Sequence, residues 1–306
     1  MDPKSIYYKK VALLVRVLPW LEEEACFALK GGTAINLFVR DMPRLSVDID
    51  LAYLPIEPRE DSLAHIHEAM MRLANTLQQK IPGSVIEPVL LRESGTAYKL
   101  LIRHAGVQIK VEVTPVLRGT VYPSEQCVFM PSVEDEFGFA EVLLVSRQDL
   151  YGGKICAALD RQHPRDLFDI KLLLENEGIS REVFNAFLVY LISHNRPISE
   201  LLAPHEKDIA GVFVHHFDGM TREPITLDEL FEARRQLVAE IQRQFTADDK
   251  TFLLCVKQGD PDWSLIDLPH VNELPAVQWK LKNLENMSEG KHRAALERLE
   301  QVLEQF

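Results

Sequence analysis

A chain of 306 residues with 46% hydrophobic content has room for roughly two compact domains and their cores, which excludes a disordered or fibrous protein. Its 34 Lys and Arg against 46 Asp and Glu leave a formal charge of −12, which argues against bulk, non-specific nucleic-acid binding while leaving room for a local basic groove. The acidity is uneven: residues 1–120 carry 15 Lys and Arg against 14 Asp and Glu, a charge of +1, so residues 121–306 carry −13.

The apolar stretch Val11–Leu21 is interrupted by Arg16 and Pro19 and is shorter than the roughly 20 residues that span a bilayer, so neither a transmembrane segment nor a signal peptide is expected. Cys26, Cys127, Cys156 and Cys255 are scattered without CxxC spacing. That pattern fits reduced thiols in the cytoplasm and supports no zinc site.

In chain order, residues 5–30 carry apolar positions at helical spacing until Gly31-Gly32 breaks the pattern, and Thr33–Val39 continues as a short helix. From Ser46 to Leu54 polar and apolar residues alternate, as on a strand: Ser46, Asp48 and Asp50 share one face, Val47, Ile49 and Leu51 the other. Residues 60–80 form an amphipathic helix with Leu63, Ile66, Met70, Leu73 and Leu77 in its apolar stripe. Strands are predicted at Val85–Leu91, Ala97–Arg103 and Val107–Val113, joined by hairpin connections at Glu93-Ser94-Gly95 and His104-Ala105-Gly106. The run Glu134-Asp135-Glu136 reads as a solvated loop. From about residue 141 the signals are mostly helical, with starts at Ser146, backed by Asp149, and at Thr226, backed by Glu229. Trp263 and Trp279 read as core or interface anchors.

Chemistry concentrates in Lys30-Gly31-Gly32-Thr33 and Arg44-Leu45-Ser46-Val47-Asp48-Ile49-Asp50. Residues two apart on a strand point the same way, so Asp48 and Asp50 crowd two carboxylates into one small volume, where a hard divalent cation is the natural compensator. The bland alternative for such a pair is a solvated edge. Gly31 and Gly32 let backbone approach phosphate oxygens, as a triphosphate cradle requires, or simply make a tight turn. A second metal needs a third carboxylate on a neighbouring strand. Glu112, on the Lys110, Glu112, Thr114 face of its strand, is the candidate; its alternative is a cross-strand partner for a lysine.

GGTAINLF followed by RLSVDIDL resembles the nucleotidyl transferase AbiEii/AbiGii toxin family of the DNA polymerase beta-like nucleotidyltransferase superfamily. Tyr151-Gly152-Gly153-Lys154 is similar to the family's lysine motif, Pro164-Arg165-Asp166-Leu167-Phe168-Asp169 to its arginine–aspartate motif, and Leu274–Lys280 to the ending of many members. Nothing specific is recognisable between about 180 and 270. The resemblance implies metal ligation by Asp48 and Asp50 and a triphosphate contact by Ser46, with Arg44 and Thr33 in the nucleotide-binding set. It also implies phosphate neutralisation by Lys154 and an acid at Asp166 or Asp169. Both acids lie in the first turns of a helix opened by Pro164, where the dipole alone favours carboxylates, so a purely structural role stays open. Superfamily members commonly carry aspartate as the third carboxylate, where this chain offers Glu112.

The expected fold is α+β: a nucleotidyltransferase-like mixed sheet flanked by helices in a catalytic domain over residues 1–175, then a mainly helical domain over 176–306. The expected activity is Mg²⁺-dependent transfer of a nucleoside monophosphate from a nucleoside triphosphate, with one or two ions. By the resemblance the acceptor is an RNA, such as the tRNA 3′ end, and the setting a bacterial toxin–antitoxin or phage-defence pair with a separate antitoxin protein and no membrane. Two alternatives stand beside it: transfer to a protein hydroxyl, compatible with the acidic chain, and a nucleotide-binding regulator without turnover, suggested by Glu112.

Overall fold

The alternating segment around Asp48 forms the middle of a seven-stranded mixed sheet in a computed structural model that describes residues 4–306. Contacts divide the chain into one unit of residues 1–150 with 218–224 and a second of residues 151–217 with 225–306.

In the first unit the strands are β1 (Phe27–Lys30), β2 (Asp48–Tyr53), β3 (Val85–Leu90), β4 (Ala97–His104), β5 (Val107–Arg118), β6 (Glu125–Val128) and β7 (Glu141–Leu144). They lie in the order β3-β4-β5-β2-β1-β7-β6. β2 runs parallel to β5 and β1 parallel to β7, while the other neighbours are antiparallel. Helices α1 (Ile6–Val17) and α3 (Arg59–Lys80) pack on β3, β4 and β5. The strand period of two divides β5 into Ile109, Val111 and Val113, which are buried, and Lys110, Glu112 and Thr114, which are half-buried. Ala105 and Gly106 both take positive φ, the two-residue turn that matches strand twist, and so fix the β4–β5 register that sets His104 opposite Val107 and Lys99 opposite Glu112.

α2 (Gly31–Ala34) follows β1 directly and continues through a π-helical turn over Ile35–Val39. α4 (Pro131–Phe137) is short, and α5 (Arg147–Arg161) starts in the first unit and runs into the second. Asp149 accepts from the Val121 and Tyr122 amides at 2.8 and 2.9 Å and from the Ser146 hydroxyl at 2.7 Å, while its own amide donates to Ser146 Oγ at 3.0 Å. The Ser146 start is therefore real, and the Asp149 carboxylate also anchors the preceding loop.

The second unit is helical and contains no strand among its described residues. After α5 come α6 (Pro164–Asn176), α7 (Arg181–Ser193), α8 (Ile198–Leu202), α9 (Ala210–His216), α10 (Leu227–Gln244), α11 (Ala247–Gln258), α12 (Pro275–Glu285) and α13 (Glu289–Leu303). α6 packs on α10, α7 on α12 and α11 on α13, around Phe184, Phe187, Phe252 and Leu167, all fully buried. Thr226 and Glu229 close the expected capping box. Gly152 on α5 sits against α7, where an added Cβ would meet the Phe187 amide nitrogen at 2.8 Å; the first glycine of the Tyr151–Lys154 motif is thus a close-packing residue. No helix among the described residues is long and apolar enough to cross a membrane.

The structure corrects several local expectations. Residues 27–30, read as the end of a helix, form β1, and residues 141–144, read as helical, form β7. A short buried apolar run has no periodicity that separates strand from helix. β6 was not anticipated, β5 runs five residues further, to Arg118, and the acidic run at 134–136 lies in α4. Trp279 is 55% exposed and anchors no core.

Candidate active site

The parallel β2–β5 register sets Asp48 beside Lys110 and Asp50 beside Glu112, β1 brings Lys30 opposite Asp50, and β4 brings Lys99 opposite Glu112. Pairs in register share a face of the sheet, so three carboxylates and three ammonium groups are gathered on one face. Lys110 Nζ lies 3.8 Å from Asp48 Oδ2 and 3.3 Å from Glu112 Oε2, and Lys99 Nζ also lies 3.3 Å from Glu112 Oε2. Burial disfavours charge on Lys110, yet Asp48, Asp50 and Glu112 outweigh it and raise its pKa, so the ammonium stays charged. For Lys30 burial wins over Asp50 and Glu112 and lowers the pKa. Lys30 donates to Thr114 Oγ1 at 3.2 Å.

The glycine pair is explained by what lies against it. A Cβ on Gly31, whose φ is +77°, would stand 2.6 Å from Asp50 Oδ2, and one on Gly32 would stand 2.7 Å from Arg44 Nη2 and 3.1 Å from Ser46 Oγ. The missing side chains let the α2 backbone close directly onto Asp50, Arg44 and Ser46. Thr33 Oγ1 donates to the Asp48 carbonyl at 2.5 Å and accepts from the Ser46 hydroxyl at 3.0 Å, pinning the start of β2 to α2, and Asn36 Nδ2 donates to the Gly32 carbonyl at 2.9 Å. Arg44 is buried and donates to the Leu45 carbonyl at 3.0 Å. Gly31→Ala is expected to lower stability by roughly 1–2 kcal/mol through its left-handed backbone alone and to displace Asp50 as well. Gly95, with φ +69° and nothing within 4 Å of an added Cβ, is the control: Gly95→Ala incurs only the backbone strain, and thermal melts of the pair separate the two contributions.

Lys154, Asp166 and Asp169 are brought together in the second unit. Lys154 Nζ stands 3.2 Å from Asp166 Oδ1 and 2.9 Å from Asp169 Oδ2, with all three side chains at most 7% exposed. Arg161, largely exposed, reaches Asp166 at 2.9 Å. Burial raises the pKa of Asp166, but Lys154 and Arg161 together outweigh it and hold the carboxyl below its ordinary value. The α5–α6 elbow that makes this possible turns at Gln162, which is buried with φ +52°. Its amide donates to the His205 carbonyl at 2.8 Å and accepts from the Lys207 amide at 3.0 Å and Arg234 Nη1 at 2.9 Å.

Sequence reasoning thus found the carboxylate pair, the glycines and the lysine motif. It named Lys30 only as the residue before the glycines, without its place opposite Asp50, and it passed over Lys99, which only the hairpin register exposes. It also passed over the Gln162 elbow, for which the helix-opening Pro164 two residues on is the local signal. Among the described residues no group of three His, Cys, Asp or Glu side chains is placed to hold a metal ion, and Glu112 is paired with Lys99 and Lys110.

A family model described as nucleotidyl transferase AbiEii toxin, type IV TA system, matches residues 12–283. Among solved structures the chain is similar to MenT4, a nucleotidyltransferase toxin from Mycobacterium tuberculosis H37Rv, with a TM-score of 0.62 at 16% identity over 91% of this chain and 93% of that one. That likeness concerns the fold. No curated protein sequence matches.

Proposed function

The chain belongs to the nucleotidyl transferase AbiEii toxin family, and from that membership we propose that it transfers a nucleoside monophosphate from a nucleoside triphosphate onto an RNA hydroxyl, such as the tRNA 3′ end, in the cytoplasm. It is a nucleotidyltransferase toxin of a type IV toxin–antitoxin system, and a cognate antitoxin protein and a role in phage defence belong to the proposal. The observation that carries the site is the placement of Asp48 and Asp50 on one sheet face, with Gly31 backbone closed against Asp50 and lysines around them.

In the reaction the acceptor oxygen bonds to the α-phosphorus, the bond from that phosphorus to the β-bridging oxygen breaks, and pyrophosphate leaves; the hydroxyl proton passes to a site carboxylate or to water. Asp48 and Asp50, hard oxygen donors with their carboxylates on one face, fit Mg²⁺ and would hold it. Bound there, the ion neutralises charge that develops on the transferring and leaving phosphates. Gly31, Gly32, Thr33, Arg44 and Ser46 fix the position of Asp48 and Asp50 and form the nucleotide side of the site. Lys154, held between Asp166 and Asp169, supplies the positive charge of the lysine motif.

The test is incubation of the purified protein with total RNA, magnesium and each α-labelled triphosphate in turn. Label in a tRNA-sized band with one triphosphate supports the reading. Label in protein instead moves the acceptor to a protein hydroxyl, and the absence of both label and pyrophosphate release leaves a nucleotide-binding regulator.

A further inference from the structure

Glu112, the third carboxylate of the sheet face, is occupied. Its Oε2 is 3.3 Å from both Lys99 Nζ and Lys110 Nζ, and Lys110 reaches on to 3.8 Å from Asp48 Oδ2. The arrangement is set by backbone: the two-residue turn at Ala105-Gly106 places Lys99 opposite Glu112, and the parallel β2–β5 register places Lys110 beside Asp48. An ammonium group therefore stands between Asp48 and Glu112, where a cation bridging those two carboxylates would otherwise sit. A divalent ion sharing the same oxygens would meet like charge from two lysines at contact range, which disfavours it. In a two-ion site the second cation neutralises phosphate oxygens. An ammonium is a compact point charge able to do the same.

Resting on the nucleotidyl-transfer reading of this face, we propose that it holds a single divalent cation, on Asp48 and Asp50, and that Lys110, positioned by Glu112, presents the second positive charge to the triphosphate. Glu112 is then a positioning residue and not a metal ligand. Its extra methylene relative to aspartate matters for reaching Lys99 and Lys110, not for reaching an ion.

The experiment counts ions. Mn²⁺ is titrated into the full chain with a saturating non-hydrolysable nucleoside triphosphate analogue, and bound metal per chain is read by electron paramagnetic resonance. One ion is expected for the unaltered protein and for Glu112→Gln, and none held by protein in an Asp48→Asn/Asp50→Asn chain. Lys110→Met is expected to keep the one ion and to bind the analogue about tenfold more weakly, the loss of one charge-assisted contact, while Lys110→Arg retains the affinity. Glu112→Asp, too short to hold both lysines, is expected to fall between Glu112→Gln and the unaltered protein in analogue affinity. Two ions in the unaltered protein, dropping to one in Glu112→Gln, would overturn the inference, and so would unchanged analogue affinity in Lys110→Met. No protein-bound ion at all in the unaltered chain overturns the nucleotidyl-transfer reading on which it rests. Lys110 is 36% exposed, so its variants keep the fold, which circular dichroism checks.

Discussion

Asp48→Asn and Asp50→Asn are each expected to reduce label transfer by at least about 10²–10³-fold while changing stability by less than about 1 kcal/mol. The two effects separate because of where the carboxylates lie. Asp48 is 30% exposed and its ion pair with Lys110 spans 3.8 Å, so the pair is solvated enough to contribute little to folding. Asparagine keeps the shape of the side chain and, at Asp50, the packing of an oxygen or nitrogen against the Gly31 backbone. In the proposed reaction it removes the negative charge that would hold a hard cation, and with it the ion that would neutralise charge on the transferring phosphate. Transfer assays with initial-rate kinetics and thermal melts on the same preparations check both halves. A variant that melts like the parent and still transfers label at its rate would remove Asp48 or Asp50 from the chemistry.

Spacing made the carboxylate pair legible before any coordinates, because a strand period of two is a local property of the chain. The same is true of the amphipathic helix at residues 59–80 and of the Thr226–Glu229 cap. Legibility ends where an element is too short to show a period: the four-residue strands at 27–30, 125–128 and 141–144 are fixed by their neighbours in the sheet, not by their own composition. Lys30 illustrates the consequence for the site, since its place opposite Asp50 exists only once residues 27–30 are a strand. Glu112 illustrates a subtler limit. The sequence put it on the right face and offered both a metal and a lysine as its partner. Choosing between them required the register of two strand pairs, and the chosen lysines come from positions 99 and 110.

Lys154→Met is expected to destabilise the second unit by about 3–5 kcal/mol at pH 7, and the loss is expected to shrink as pH is lowered toward 5. Lys154 is the cation shared by Asp166 and Asp169, which are 4% and 0% exposed, so its removal takes the ammonium from between two neighbouring buried carboxylates. In the unaltered protein Lys154 and Arg161 overcome the effect of burial and hold Asp166 below its ordinary pKa. A depressed pKa contributes stability that is present above the unfolded value and lost only as pH falls through the folded one, so this contribution is fully present at both pH 7 and pH 5. Without the ammonium the sign reverses: burial and the neighbouring carboxylate favour proton uptake, so the folded state binds a proton that the unfolded chain binds only at lower pH. Acidification then stabilises the variant relative to the parent. Chemical denaturation at pH 7 and pH 5 measures the gap at each, and the double variant Lys154→Met/Asp169→Asn, which leaves one carboxylate with Arg161 beside it, should regain much of the loss at pH 7. A gap that is equal at both pH values, or unrelieved by Asp169→Asn, would mean that the lysine's methylene packing and not its charge holds α5 against α6.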